Sequence, residues 1–406
     1  MIEWSEQHEL IRQTFRRFVE AEIKPNLREL EHGDTPPYAI LRKLMATFGI
    51  DQVARARFER QIAREKEGEA GPGERAAGPE AADSAAMQLI PVIELCRYCP
   101  GMVTALGVSV GLTAAAIMAR GTIRQKERWG LPLLTLEKIG AWAITEPGSG
   151  SDAFGGMKST ARRDGDRGYV LNGSKTFITN GPYADTIVFI CKLDEGNDPR
   201  ERKVLSFILD GDLPGLTRSK PMRKMGLHSS PTGELFLEDV RAGRERLLGE
   251  TEDAPARAGA KHTFSQERAG VPAMALGIVS QCLDLCVDYA RTRVQFGRPI
   301  GEFQLIQLKL ARMEVARMNL QNMIFRQIEM AGAGKRMTLA EASAAKLYAA
   351  QAAMDVALEA VQLFGGNGYM AEFQVEQLCR DAKVLQIYAG TDEIQVSQIA
   401  RSLLRG

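Results

Sequence analysis

The segment Trp142-Ala-Ile-Thr-Glu-Pro-Gly-Ser-Gly-Ser-Asp152 ends a strand-like run in glycines and small hydroxyls. A loop of that kind presents backbone N–H groups and short side chains to a flat or phosphorylated ligand. Four other segments carry similar punctuation: Phe177-Ile-Thr-Asn-Gly181, Arg293-Val-Gln-Phe-Gly297, Gln362-Leu-Phe-Gly-Gly366 and Tyr388-Ala-Gly-Thr-Asp-Glu-Ile394. Each alone reads as a turn, a cap or a surface cation. Gly365-Gly366-Asn367-Gly368 follows a helical pattern and lacks the preceding strand of a dinucleotide turn, so it predicts a helix C-cap. Ser229, Ser230 and His228 are adjacent, but no G-x-S-x-G elbow accompanies them. Cys96 and Cys99 form one C-x-x-C without a second pair or a nearby His, and the four histidines lie far apart, so no metal site is expected.

Elements that could position these segments follow from periodicity. Apolar residues at Leu10, Ile11, Phe15, Phe18, Val19 and Ile23 give Glu6 to Leu27 one helical face. The pattern resumes from Tyr38 to Phe48 and from Ser84 to Gly121. Between them, 55–83 is a charged, then Gly/Pro-rich insertion that buries little, and its second half predicts a mobile loop. From about Lys138 to Leu248 the period becomes two. Asn172-Gly173 between Tyr169-Val-Leu and Lys175-Thr-Phe-Ile-Thr predicts a hairpin, with further strands at Thr186–Cys191, Lys203–Leu209 and Glu234–Leu237. Glu250 to Gly259 reads as a polar linker. Long Ala-rich patterns at Gln266–Arg293, Phe303–Ala331, Thr338–Phe364, Val375–Gln386 and Thr391–Leu404 then predict a helical bundle. The expected fold class is α+β: an N-terminal helical domain (1–135), a middle β-barrel-like or β-sandwich domain (136–248) and a C-terminal four-helix bundle (249–406).

Composition bounds the partners. Lys plus Arg is 52 and Asp plus Glu is 51 in 406 residues, so no overall field recruits nucleic acid or anionic lipid. The apolar stretch near Met102 to Met118 contains Gly, Ser and Thr and reads as short for a membrane span. Six scattered cysteines fit a reducing compartment, and the polar start Met-Ile-Glu-Trp-Ser-Glu-Gln does not read as a targeting peptide, so a cytoplasmic location is expected.

Taken together and in order, T-E-P-G-x-G-S-D, F-I-T-N-G, R-x-x-F-G, Q-x-x-G-G-x-G and Y-x-G-T-x-E-I resemble the acyl-CoA dehydrogenase family of flavoenzymes nearly end to end. The resemblance implies FAD at the domain junction and a homotetramer. The reaction would oxidise a saturated acyl-CoA to the trans-2-enoyl-CoA, and an electron-transfer flavoprotein would take the electrons. Trp142, Ile144, Thr145, Gly150 and Ser151 would line the flavin, with Phe177 and Thr179 on its other side. A neighbouring subunit would supply Arg293 and Phe296, with Gln304 nearby, and also Gln362, Gly365 and Gly366. Thr391 and Glu393 would complete the cofactor site.

Many relatives place the catalytic Glu directly after the Tyr of the last motif, where this chain has Ala389. Isovaleryl-CoA and long-chain members carry it on an earlier helix, just before an Arg. Ser265-Gln266-Glu267-Arg268 occupies that place, so the resemblance to this type makes Glu267 the base. Glu146, Asp392 and Glu393 are weaker candidates. The Ala389 N–H, beside Gly390 and with a ribityl hydroxyl of FAD, would polarise the thioester carbonyl as an oxyanion hole does. Ser151, Ser265 and Arg268 are expected along the CoA thread. The pocket floor lies around Gln88 to Leu112, where Gly101, Gly107 and Gly111 suggest room. A related flavin oxidase or monooxygenase, or a non-catalytic assembly subunit, would share the fold.

Overall fold

The computed structural model describes residues 3–68, 77–253 and 256–405, without the side chains of 256–263, 265 and 266. Helices α1 (Glu6–Phe18), α2 (Leu27–His32), α3 (Tyr38–Thr47), α4 (Ile50–Lys66), α5 (Pro79–Cys96), α6 (Pro100–Leu106), α7 (Ala115–Arg120), α8 (Ile123–Gln125) and α9 (Leu131–Leu134) come first. Strands β1 (Gly140–Ala143), β2 (Thr160–Arg163), β3 (Tyr169–Thr179), β4 (Thr186–Leu193), β5 (Val204–Asp210), β6 (Leu216–Arg218) and β7 (Thr232–Ala242) follow. The chain closes with α10 (Ala256–Thr292), the short hairpin β8 (Val294–Gln295) and β9 (Arg298–Pro299), α11 (Gln304–Gly332), α12 (Leu339–Phe364), α13 (Gln374–Val384) and α14 (Asp392–Arg405). The order is helical, β, helical, as expected.

Several boundaries differ from the periodicity, each for a local reason. The first helix does not run straight to Leu27. It widens over Val19–Ile23 and tightens over Lys24–Asn26, because Pro25 has no N–H to continue the ladder. The charged start of the 55–83 stretch, expected to bury little, belongs to α4, which buries Phe58 and Ile62 and ties Glu65 to Lys126 at 2.7 Å and Arg55 to Glu137 at 2.7 Å. Positions 69–76, the heart of the expected mobile loop, lie outside the described residues. The polar linker is shorter than expected, since α10 begins at Ala256. Asn172-Gly173 does not turn the chain. β3 is continuous, and the dipeptide makes a register shift against β7 between Leu171 and Gly173.

The seven-stranded mixed sheet has β4 at its centre: β1 and β2 share one edge of it and β5 pairs along the other. β3 lies three strand steps from β5, which would be about 14 Å apart in a flat sheet. Yet the Tyr169 and Phe207 rings sit 5.0 Å apart, so the sheet curls around its own core. That core holds Ile187, Phe189, Cys191, Phe207 and Leu235. A separate helical core runs from α1 through α5 and α10 to α12 and α13 and takes in Cys96, Cys99, Cys282 and Cys286. Burial pushes these thiols up, Cys191 and Cys286 to about 12. Pro100–Arg120 is a 21-residue rod and Glu267–Thr292 a 26-residue one; both are long and apolar enough to cross a membrane by composition alone, against the expectation for the first. In the second, 72% of its apolar 18-residue window is buried, as in a core helix.

Candidate functional site

Two strands and a turn build the first half of the site. Trp142 and Ile144 leave β1 buried. Its exit is fixed by Thr176 N–H donating to Thr145 O at 2.9 Å. Glu146 and Ser149 then exchange backbone hydrogen bonds of 3.3 and 3.0 Å, closing a tight turn. Gly148 and Gly150 face open space, and Ser151 is exposed. On β3 a second register shift, between Lys175 and Ile178, throws Phe177 into the left-handed region (φ +56°). A bulky residue adopts that conformation only when its surroundings demand it. The ring is 65% exposed beside partly buried Thr179. Asn180, also left-handed, donates to Ala105 O and Gly140 O, both at 2.9 Å, and accepts from Tyr38 OH at 2.9 Å. It thereby locks the β domain onto α3 and α6.

The second half joins distant segments. Tyr388, Ala389 and Gly390 follow α13, and Ala389 (φ +54°) and Gly390 (φ +88°) are both left-handed. Their carbonyls are taken: Arg268 Nε donates to Ala389 O at 3.1 Å, and Gln395 Nε2 donates to Ala389 O at 3.1 Å and to Gly390 O at 2.7 Å. No backbone hydrogen bond among the described residues uses the Ala389 N–H. Glu267 sits one residue before Arg268 on α10, partly buried. Burial pushes its carboxyl up to about 7, against the pull of Arg268 and Lys346. It lies close enough to Tyr388 to raise that phenol further, after burial has done most of it. The sequence-based set Glu267, Arg268, Ala389 and Gly390 is therefore brought together.

Other expectations are corrected. Arg268, expected along the CoA thread, is 7% exposed and spends hydrogen bonds on Ala389 O and Ser343 Oγ (3.2 Å). The Ser265 side chain lies outside the described ones. Glu146 is no base, because it is consumed by Lys175 (2.9 Å) and by the N–H groups of Ser159 (3.0 Å) and Lys158 (2.6 Å). Asp392 pairs with Lys346 at 3.2 Å. Glu393 is exposed, and the Thr391 hydroxyl holds its carboxyl low. Gly101 gives no room, since a Cβ there would meet Ser229 Oγ at 2.3 Å; Gly107 and Gly111 do face open space. Sequence reasoning missed Lys175, Lys346, Ser343 and Gln395. A lysine at an inward strand position, opposite buried Leu235, was the one available signal.

The remaining residues gather at one end of the bundle. Tyr289 stacks on Phe364 (4.1 Å, 14°) and accepts a hydrogen bond from Asn367 Nδ2 at 3.0 Å. That stack brings the β8–β9 hairpin beside the end of α12. Arg293, Gln304, Gln362, Gly365 (φ +61°, the expected C-cap) and Gly366 are exposed there, and Phe296 is 94% exposed at the hairpin tip.

Residues 141–240 match the sequence profile of the acyl-CoA dehydrogenase middle domain, and 258–404 that of the C-terminal domain. A 3-(aryl)acrylate reductase of Clostridium sporogenes is 36% identical over 99% of this chain and 100% of its own. A short-chain-specific acyl-CoA dehydrogenase of Megasphaera elsdenii is 40% identical over 78% of this chain and 81% of its own. The chain belongs to the acyl-CoA dehydrogenase family. The solved butyryl-CoA dehydrogenase of Megasphaera elsdenii superposes with a TM-score of 0.82 at 34% identity, covering all of both chains. Assignment to the isovaleryl-CoA or long-chain type is not supported, because such relatives are short-chain enzymes. That assignment rested on the position of one Glu, which does not report on acyl length.

Members of this family are FAD flavoproteins, and the residues here fit the group. Phe177 offers an open aromatic face, the 147–151 turn is small and uncrowded, and the buried Trp142 Nε1 has no acceptor within the described residues. Trp142, Ile144, Thr145, Gly150, Phe177 and Thr179 would hold the flavin.

Proposed function

We propose that this protein is an FAD-dependent acyl-CoA dehydrogenase in which Glu267 removes the α proton of a saturated acyl-CoA thioester. The observation that carries the reading is a recessed carboxyl beside a turn whose Ala389 N–H has no backbone acceptor among the described residues. Bound FAD supplies the acceptor for the β hydrogen, which leaves as hydride. Glu267, desolvated and raised to about 7, is a stronger base than an ordinary carboxylate yet still about half ionised at neutrality. The Ala389 N–H bonds the thioester oxygen as negative charge builds there. Arg268 and Gln395 hold the turn that aims it. Phe177 covers the ring and excludes water.

Ser151 at the edge of the turn suits the pantetheine arm. A short or compact acyl group fits both the relatives' names and the open face at Gly107 and Gly111. Electron-transfer flavoprotein is the electron acceptor in this reading. A homotetramer, in which Arg293, Phe296, Gln304, Gln362, Gly365 and Gly366 of one subunit reach the FAD of another, explains why these residues stand bare at the bundle end. Unpaired buried thiols suit the cytoplasm.

The test is anaerobic titration of the FAD-loaded protein with butyryl-, isovaleryl- and 3-phenylpropionyl-CoA, following the oxidised flavin's visible absorbance. At least one thioester is expected to bleach it, without hydrogen peroxide when air is admitted. An intact flavin after all three overturns the reading.

A further inference from the structure

Lys175 has a fully buried side chain, and its partner Glu146 is 5% exposed. The Lys175 Nζ lies 2.9 Å from Glu146 Oε1, donates to Ile144 O at 3.1 Å and stands 5.1 Å above the Phe189 ring. Glu146 also accepts from the backbone N–H of Ser159 (3.0 Å) and Lys158 (2.6 Å), so it closes the 146–158 loop at its base. The next residue after Lys175, Thr176, bonds Thr145 O, and the one after that is Phe177. One buried ion pair thus joins the two segments that face opposite sides of the expected flavin. Nothing in the proposed chemistry uses either charge. Two buried ions are also a poor way to gain stability, because desolvation cancels most of their attraction and an apolar pair would serve as well.

We propose that Lys175 and Glu146 are positioning residues for the cofactor: their pair sets the spacing between the 147–151 turn and the Phe177 bulge, and so the fit and orientation of the flavin between them. The inference rests on the FAD reading above. It separates two roles for the same pair, holding the fold and shaping a ligand's slot.

The experiment compares wild type, Lys175→Met/Glu146→Gln and Glu146→Asp after removal and readdition of FAD. The readouts are thermal midpoint without cofactor, FAD dissociation constant by fluorescence quenching, and visible circular dichroism of bound flavin. The neutral double variant leaves no buried charge unpaired, so it is expected to melt near wild type, to bind FAD at least tenfold more weakly and to show altered flavin dichroism. Glu146→Asp keeps the charge and shortens its reach, and it is expected to change the dichroism in the same direction. Unchanged FAD affinity and dichroism in either folded variant overturn the proposal, leaving the pair a role in the fold alone. If the double variant fails to fold, Glu146→Asp decides by the same readouts. A wild-type protein that takes up no FAD overturns the underlying reading as well, a result distinct from a variant that binds FAD normally.

Discussion

Two lysines with fully buried side chains flank the site, and they live differently. Lys175 meets Glu146, whose carboxyl also accepts two backbone N–H groups; burial alone would raise that carboxyl, but Lys175 and these donors hold it low. Lys346 bonds Asp392 at 3.2 Å and feels Glu267 only through space. Arg268, the other cation near Glu267, spends its hydrogen bonds on Ala389 and Ser343. Burial therefore wins at Glu267, whose carboxyl rises to about 7. The same ingredients make a rivet on one side and a reactive group on the other. What decides is a cation in direct contact, backed by donors aimed at the carboxylate: the charge of Lys175 does most to hold Glu146 low and the hydrogen bonds add to it, whereas at Glu267 neither is in place to offset burial.

The largest test of that contrast is Glu267→Gln. It should slow flavin bleaching about 10³-fold with FAD content unchanged, since general-base removal commonly costs 10²–10⁴. Bleaching at the wild-type rate would assign the base elsewhere. Arg268→Lys loses the rigid guanidinium that ties Ala389 O to Ser343 Oγ and should lower kcat about 50-fold, less than loss of the base, by misaiming one oxyanion donor. Substrate binding measured on the oxidised enzyme should change little.

Proton-linked behaviour comes next. A base works only when ionised, so the single-turnover rate should rise with pH through a midpoint of about 7 and level off roughly one unit above it. Lys346→Met removes a cation that favours the charged form, so that midpoint should move up by about one unit, cutting the rate roughly tenfold below it. A midpoint that stays put would detach Lys346 from the base. The smallest effect is expected at Gly111→Leu: filling open space should favour butyryl-CoA over 3-phenylpropionyl-CoA by about fivefold in kcat/KM, the scale of a few displaced methylenes.

Legibility in the sequence followed locality. Gly365 at a helix end and the small residues of the 147–151 turn announce themselves, because the backbone there needs those residue types. Asn172-Gly173 announced a bend equally well, but whether a bend reverses a chain depends on β7, which continues alongside. In α4 the charges suggested solvent, whereas two apolar residues one turn apart and a few ion pairs are enough to seat the helix. Lys175 and Glu146 are 29 residues apart, and Arg268 and Ala389 are 121 apart. No local pattern encodes such pairings. Glu267 is legible only through resemblance, since its raised carboxyl depends on burial by segments distant in the sequence, with Lys346 and Tyr388 nearby.

The sealed thiols give the molecule an internal stopwatch. Cys96, Cys99, Cys282 and Cys286 belong to the helical core, while Cys191 belongs to the curled sheet. Kept protonated and out of reach, each can be alkylated only while its surroundings part. Pulse labelling read by mass would therefore time the breathing of the two cores separately in a single sample. It would show which of them loosens first on heating.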